Sequence, residues 1–231
     1  MLSNDHSELE NWYIMVNRNA TPLILAMLLL GLICLLTLYR VTNQNIWINS
    51  IANFDIIFSL VYLAWIIIES RISKEELHQG NKTSDYGTCE LYAIGQAAVF
   101  LSALWFTSAW QSPNLLHFIG FTIFLIGIAY RLWAIKTLGR YYSHMVREVE
   151  AHKIIDSGPY RHIRHPAYAG MILINLGVVI FFFNLVTLLL FLLVLIPAII
   201  LRIIIEEKTL FRIDGYAKFA QNRQRLIPDI W

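Results

Sequence analysis

HKIIDSGPYRHIRHPAYAG, residues 152–170, is a polar, basic island that runs directly into MILINLGVVIFFFNLVTLLLFLLVLIPAIIL, residues 171–201. Gly158-Pro159 is a turn signal, because glycine tolerates positive φ and proline holds its own φ near the turn value. His165 precedes a proline and is biased away from α-helix, while Pro166 suits the first position of a new one. The stretch reads as a polar loop feeding a helix that enters the apolar run. The free N–H groups at that helix start, with Arg161, Arg164 and the nearby imidazoles, suit an anionic group. About 20 residues cross the hydrocarbon of a bilayer, so 166–205 is too long for one crossing. A turn near Asn184 divides it into two short helices, a hairpin. Arg202-Ile-Ile-Ile-Glu206-Glu207 closes the run, with Arg202 and Glu206 four apart on one helix face. Two polar clusters thus bracket the hairpin and meet at one membrane surface.

Outward from there the chain stays greasy. It is 57% hydrophobic and 15% charged, where a soluble domain carries about 25% charged residues, and its mean hydropathy is +0.55. The expected fold class is an all-α integral membrane protein with about six transmembrane helices. The spans fall at 22–40, 46–68, 91–110 and 115–134, followed by the two halves of the hairpin. A cytoplasmic polar loop at 135–165 and a C-terminal surface helix, broken near Asp214-Gly215, complete it. Residues 1–134 make an N-terminal group of membrane helices and 135–231 a second region that holds the polar loop and the hairpin. With a cytoplasmic N-terminus, Lys and Arg gather on the cytoplasmic side, leaving only Arg40 outside. No secretory signal is evident. The net charge of +2 gives no reason to expect a nucleic-acid partner; membrane lipids and a lipidic substrate are the expected ones, with no obligate protein partner evident. Cys34 and Cys89 lie far apart, without metal-type spacing, and read as free thiols.

His144, His152, His162 and His165 lie close in sequence but lack HxxxH or HExxH spacing and a nearby cysteine, so no metal is expected. Asp55 falls near mid-depth of the second span, where an acid marks either a site or a helix-packing contact. Arg202 has two readings: it snorkels from the helix end and pairs with Glu206, or it grips a carboxylate or phosphate with its planar fork.

His152, Gly158-Pro159-Tyr160, Arg164-His165-Pro166-x-Tyr168, Glu206-Glu207 and Arg225-Leu226-Ile227-Pro228, in this order around a hairpin, resemble the isoprenylcysteine carboxyl methyltransferases and their phospholipid N-methyltransferase relatives. The resemblance implies an S-adenosylmethionine-dependent methyltransferase acting on the carboxylate of a lipidated, isoprenylcysteine-like or other lipidic substrate. It implies that His152, Lys153, Ile154, Ile155, Tyr160, His165, Pro166, Ala167 and Tyr168 wrap the cofactor. Glu206 then contacts the cofactor ammonium, and Arg202 the substrate carboxylate. Asp214-Gly215-Tyr216-Ala-Lys-Phe219 departs from the family's Phe-Gly-x-x-Tyr-x-x-Tyr, and Met145–Ala151 is shorter than the eukaryotic loop; both weaken transfer of the substrate's identity.

The chemistry asks little of the protein, because an ionised carboxylate is already a nucleophile and alignment with exclusion of water supplies most of the benefit. A phospholipid amine is the alternative acceptor and needs a base, Glu207 or His165. A further alternative is an NADPH-dependent sterol-type reductase, whose C-terminal half is similar. Those enzymes carry Asn before the Tyr and an acid shortly after it, where this chain has Ala167 and Ala169-Gly170. A small transporter or assembly factor is the non-enzymatic reading.

Overall fold

Asn184 sits where the long apolar run has to turn. Its side-chain oxygen accepts from the Thr187 backbone N–H at 2.8 Å and its amide donates to the Phe182 carbonyl at 3.0 Å. That cap stops one helix at Phe181 and starts the next at Leu185. The computed structural model describes residues 24–39, 42, 50–76, 87–106, 114–142, 154–228 and 230–231. Among these the helices are α1 Ile24–Tyr39, α2 Ser50–Glu76, α3 Thr88–Phe106, α4 Leu115–Leu138, α5 Pro166–Phe181, α6 Leu185–Leu190, α7 Ile196–Leu210 and α8 Tyr216–Gln221. The only β-pairing among the described residues is one isolated bridge, Ile163 to Gln224.

α6 and α7 run on as one 26-residue helix, Leu185–Leu210, through a π turn at Phe191–Leu195. Pro197 lies just beyond that turn and lacks the N–H that a regular ladder needs, so the wider turn lets the helix continue. The division near Asn184 is where the sequence suggested, but the second helix is longer than anticipated because it carries Arg202, Glu206 and Glu207 in its last turns. Leu185–Leu210, Thr88–Phe106 and Leu115–Leu138 are long and apolar enough to cross a membrane. α1 and α5 are apolar but shorter. Large apolar side chains such as Leu28, Trp105, Phe118 and Leu193 face outward, as suits helices whose solvent is lipid.

α5 lies most extensively against α4, and glycines make that closeness possible. A Cβ at Gly127 would stand 2.6 Å from the Ile174 backbone nitrogen, and one at Gly177 2.6 Å from that of Phe124. Small residues at a membrane helix interface let backbones approach where no hydrophobic effect drives them together. Beside this seam, Phe58, Tyr62, Phe100, Phe124, Phe181 and Phe182 form an aromatic core from α2, α3, α4 and the end of α5. Tyr62 and Phe100 stack with centroids 3.6 Å apart, and Phe58 meets Phe181 at 4.4 Å. Ser102 and Thr187 share a hydrogen bond of 2.9 Å that ties α3 to α6.

α2 reaches Glu76 and so includes Glu69, which the sequence placed in a polar loop. The reason is tertiary: Glu69 pairs with Arg131 of α4. At the other end, Gly215 at φ +86° makes the expected break before α8. Backbone hydrogen bonds from Arg164 and His165 to the carbonyls of Gln224 and Arg225, at 2.8 and 2.9 Å, pin the C-terminal segment beside the loop that precedes α5.

Candidate active site

The polar loop reaches α5 through a 3-10 turn, Gly158–Arg161. Gly158, at φ +57°, would place a Cβ 3.0 Å from the Thr137 hydroxyl, so the loop presses on α4 at a point where only glycine fits without a shift. Pro166 then opens α5 as its first residue. Tyr168 is thereby turned toward α7, and the two polar clusters of the sequence meet. The Tyr168 hydroxyl donates to Glu206 Oε2 at 2.7 Å and accepts from Arg202 Nε at 2.8 Å. Arg202 Nη1 also donates to Thr88 Oγ1 at 3.1 Å, reaching α3.

Arg202 is 3% exposed. A snorkelling arginine carries its guanidinium out to water; this one keeps it inside, so the snorkelling reading is set aside. Glu206 and Arg202 are linked across one tyrosine hydroxyl, an arrangement that the four-residue spacing alone did not show.

These groups line a cavity of about 1040 Å³, open mouth included, between α3, α4, the 154–168 loop, α7 and α8. Of the residues expected to hold a cofactor, Ile154, Ile155, Tyr160, His165, Ala167, Tyr168 and Glu206 are on its wall, as is Arg202. Pro166 is not on the wall but starts the helix that carries Ala167 and Tyr168 there. His152 and Lys153 lie outside the described residues. One side of the cavity is an apolar shelf of Ala134, Tyr160, Ala167, Tyr216 and Phe219, with Ile154 and Leu138 against it. Burial, then the nearby Glu206 carboxylate, raises the Tyr160 phenol well above its ordinary pKa. Burial, followed by the Glu207 and Glu206 carboxylates, does the same to Tyr216. Both stay neutral, and the buried Tyr216 hydroxyl has no partner among the described residues.

Glu207 does something different from its neighbour. Its side chain, 4% exposed, accepts from Arg164 Nη1 at 2.7 Å, Arg225 Nε at 2.8 Å and His165 Nε2 at 3.2 Å. The anionic group beside the loop cations is therefore a carboxylate of the chain itself. With three donors on it, Glu207 is a clasp between the loop, α7 and the C-terminal segment rather than an available base. Among the described residues no three His, Cys, Asp or Glu side chains gather as metal ligands.

Sequence reasoning missed Arg131 and Glu69. Arg131, 2% exposed, holds Glu69 through Nε and Nη2, donates to the Ala167 carbonyl at 2.9 Å and to the Tyr142 hydroxyl at 3.1 Å. It fastens the first turn of α5, and so the cavity wall, to α2 and α4. The available signal was an arginine inside an apolar span, which is costly unless paired.

Several known proteins are similar. The model of the isoprenylcysteine carboxyl methyltransferase family matches residues 118–212. A protein-S-isoprenylcysteine O-methyltransferase B of Arabidopsis thaliana is 31% identical over 113 residues, 47% of this chain. A probable protein-S-isoprenylcysteine O-methyltransferase of Oryza sativa subsp. indica is 31% identical over 134 residues, 56% of this chain. The chain spans 57% and 65% of the length of these two relatives. A solved structure of a eukaryotic intramembrane Ras methyltransferase, also an isoprenylcysteine carboxyl methyltransferase, aligns with a TM-score of 0.55 at 20% identity, covering 97% of this chain and 86% of that one; it speaks for the fold. The matched region runs from α4 through the Arg-His-Pro loop to the glutamate pair, and over it the chain is similar to the isoprenylcysteine carboxyl methyltransferase family.

Proposed function

We propose that this protein is an integral membrane enzyme that transfers a methyl group from S-adenosylmethionine to the carboxylate of a lipidic, isoprenylcysteine-like substrate. The observation that carries the reading is the part-buried relay Glu206, Tyr168, Arg202 on one cavity wall. It sets a fixed negative charge and a fixed positive charge one hydroxyl apart. A cofactor bearing an ammonium and a substrate bearing a carboxylate are drawn to neighbouring positions by that pair.

The residues present suit the cofactor. Glu206 takes its ammonium, the shelf of Tyr160, Tyr216 and Phe219 takes a flat aromatic base, and the unpartnered Tyr216 hydroxyl offers it a hydrogen bond. When bound, the cofactor supplies an electrophilic methyl on a sulfonium. Arg202 orients the substrate carboxylate with its planar fork, and Tyr168 fixes the guanidinium. The carboxylate oxygen held by Arg202 would accept that methyl, the O–CH3 bond gained replacing the S–CH3 bond lost as the sulfonium became a thioether. No proton moves, which agrees with a second glutamate that is held by two arginines and a histidine. An amine acceptor needs a base that Glu207 does not offer.

The same reading takes the chain to cross the bilayer six times, with the cavity facing the cytoplasm, where the nucleotide-derived cofactor is found. Calorimetry on the purified protein tests the core of it. S-adenosylmethionine and S-adenosylhomocysteine are expected to bind and NADPH is not; binding of NADPH alone turns the assignment to the reductase. Incubating a membrane lipid extract with radiolabelled S-adenosylmethionine then identifies the acceptor.

A further inference from the structure

A second cavity, of about 930 Å³, lies between α1, α2 and α3. Its lining is mostly apolar, with Leu25 and Leu29 of α1 and Trp65 and Ile66 of α2 in it, and Glu69 and Gln96 among its few polar side chains. On the outside, Leu28 and Ile94 are 60% and 56% exposed, so its rim faces lipid. It is not independent of the first cavity: Cys89 and Tyr92 of α3 are walls of both.

Tyr92 stands at that junction with its ring under the relay. The Arg202 guanidinium carbon is 6.0 Å from the Tyr92 ring centroid, and the Tyr168 ring meets Tyr92 edge-on, centroids 6.4 Å apart at 87°. The Tyr168 hydroxyl is fully engaged by Glu206 and Arg202. The Tyr92 hydroxyl is buried and has no hydrogen-bond partner among the described residues. A buried hydroxyl without a partner is costly, and a phenylalanine would fill the same space without that cost. The unsatisfied donor is accounted for if a ligand supplies the acceptor.

We propose that Tyr92 is a further substrate-binding residue, whose hydroxyl donates to the substrate carboxylate beside Arg202 at the throat between the two cavities. The inference rests on the proposed methyl transfer to a carboxylate. Its geometric content is that the acceptor's head sits where the cavities meet and its hydrocarbon chain extends along the α1–α2–α3 groove. In that arrangement the carboxylate receives two donors from two helices, α7 and α3, which fixes its direction as well as its place. The negative charge is spent as the O–CH3 bond forms, so this hydrogen bond is stronger in the bound substrate than in the transition state. Its loss therefore raises KM and does not lower kcat.

The test uses the full chain in detergent with S-adenosylmethionine and N-acetyl-S-farnesylcysteine as the probe carboxylate. Tyr92→Phe keeps the ring and its stacking. It is expected to raise KM for the probe about tenfold, as for loss of one charge-assisted hydrogen bond, with kcat not lowered and cofactor affinity unchanged. The methyl ester of the probe, tested as an inhibitor, is expected to lose less than about threefold, because a neutral acceptor gains less from the donor. Unchanged KM, or equal losses for acid and ester, overturns the proposal; the second result means the residue serves packing only. Absence of turnover by the wild-type protein overturns the carboxylate reading and this inference with it. Turnover by the wild type together with an unaffected Tyr92→Phe variant overturns this inference alone.

Discussion

At the scale of single residues, the site is a matter of which carboxylate is free. Glu206 and Glu207 are neighbours in sequence, but the helix turns them to different sides, one onto the cavity and the other onto Arg164, Arg225 and His165. Glu206→Gln keeps the shape and the bond to Tyr168 while removing the charge. Charge-assisted hydrogen bonds contribute about 1.5–3 kcal/mol, so S-adenosylmethionine affinity is expected to fall roughly 10- to 150-fold by calorimetry, with the fold intact by circular dichroism. Arg202→Lys separates recognition from simple charge. A lysine cannot reproduce the planar fork that holds Tyr168, Thr88 and a carboxylate together. Turnover of a carboxylate substrate is expected to fall at least about tenfold, ~1.4 kcal/mol of positioning, while cofactor affinity stays close to wild type. Near-wild-type turnover would remove Arg202 from carboxylate recognition. Arg202, Tyr168 and Glu206 were legible because each lies in a short motif whose spacing survives folding. Arg131 was not: what gives it a role is Glu69, on another helix and 62 residues away in the chain, and no local pattern joins the two.

At the scale of elements, the seam between α4 and α5 decides where the cavity wall stands. Gly120 and Gly127 on one helix face Gly170 and Gly177 on the other, and an added Cβ at Gly170 would come within 2.7 Å of Arg131 Cβ. A side chain there pushes apart the helices that carry Arg131 and Tyr168. Gly177→Leu is expected to lower stability by about 1–3 kcal/mol, the usual cost of overpacking, read as an earlier thermal transition in detergent. Gly31→Ala is the control, since a Cβ there meets nothing within 4 Å. Replacing glycine by alanine at such a helical position is neutral or stabilising by up to about 1 kcal/mol. An equal loss in both variants would show that the seam has no special role. Helix positions were readable from hydropathy, and the Asn184 break from a polar residue amid apolar ones. The partner of α5 was not readable. Hydropathy tells a helix that it must leave water, but in lipid the choice of neighbour comes from shape, and four glycines scattered over two helices look alike until they face each other. The true length of α2 escaped for a related reason, as Glu69 looks like a loop residue until Arg131 neutralises it.

At the scale of the whole molecule, the two ends of the Leu185–Leu210 helix belong to different surroundings. At about 1.5 Å per residue its 26 residues exceed the roughly 30 Å of hydrocarbon in a bilayer, so both ends reach an interface. Asn184 and the exposed Phe183 mark one end. The other end carries Glu207, and through Arg164, His165 and Arg225 it is clasped to the loop before α5 and to the C-terminal segment. Arg225 also lies over the Trp231 ring, its guanidinium carbon 5.1 Å from the centroid. Cations collect at that end, with Arg161, Arg164, Lys208, Arg212, Lys218, Arg223 and Arg225 all in the segments the clasp joins. The positive-inside rule assigns such an end to the cytoplasm. Single cysteines at Phe183 and Asp214, both exposed, introduced after the native Cys34 and Cys89 are replaced, report the two ends. An impermeant thiol reagent added to sealed, right-side-out vesicles is expected to label Phe183→Cys and to reach Asp214→Cys only after the vesicles are opened. Labelling of both before opening would place the clasp outside, and the cofactor cavity with it, where S-adenosylmethionine is not supplied. Labelling of neither would mean that this helix does not cross the bilayer, despite its length.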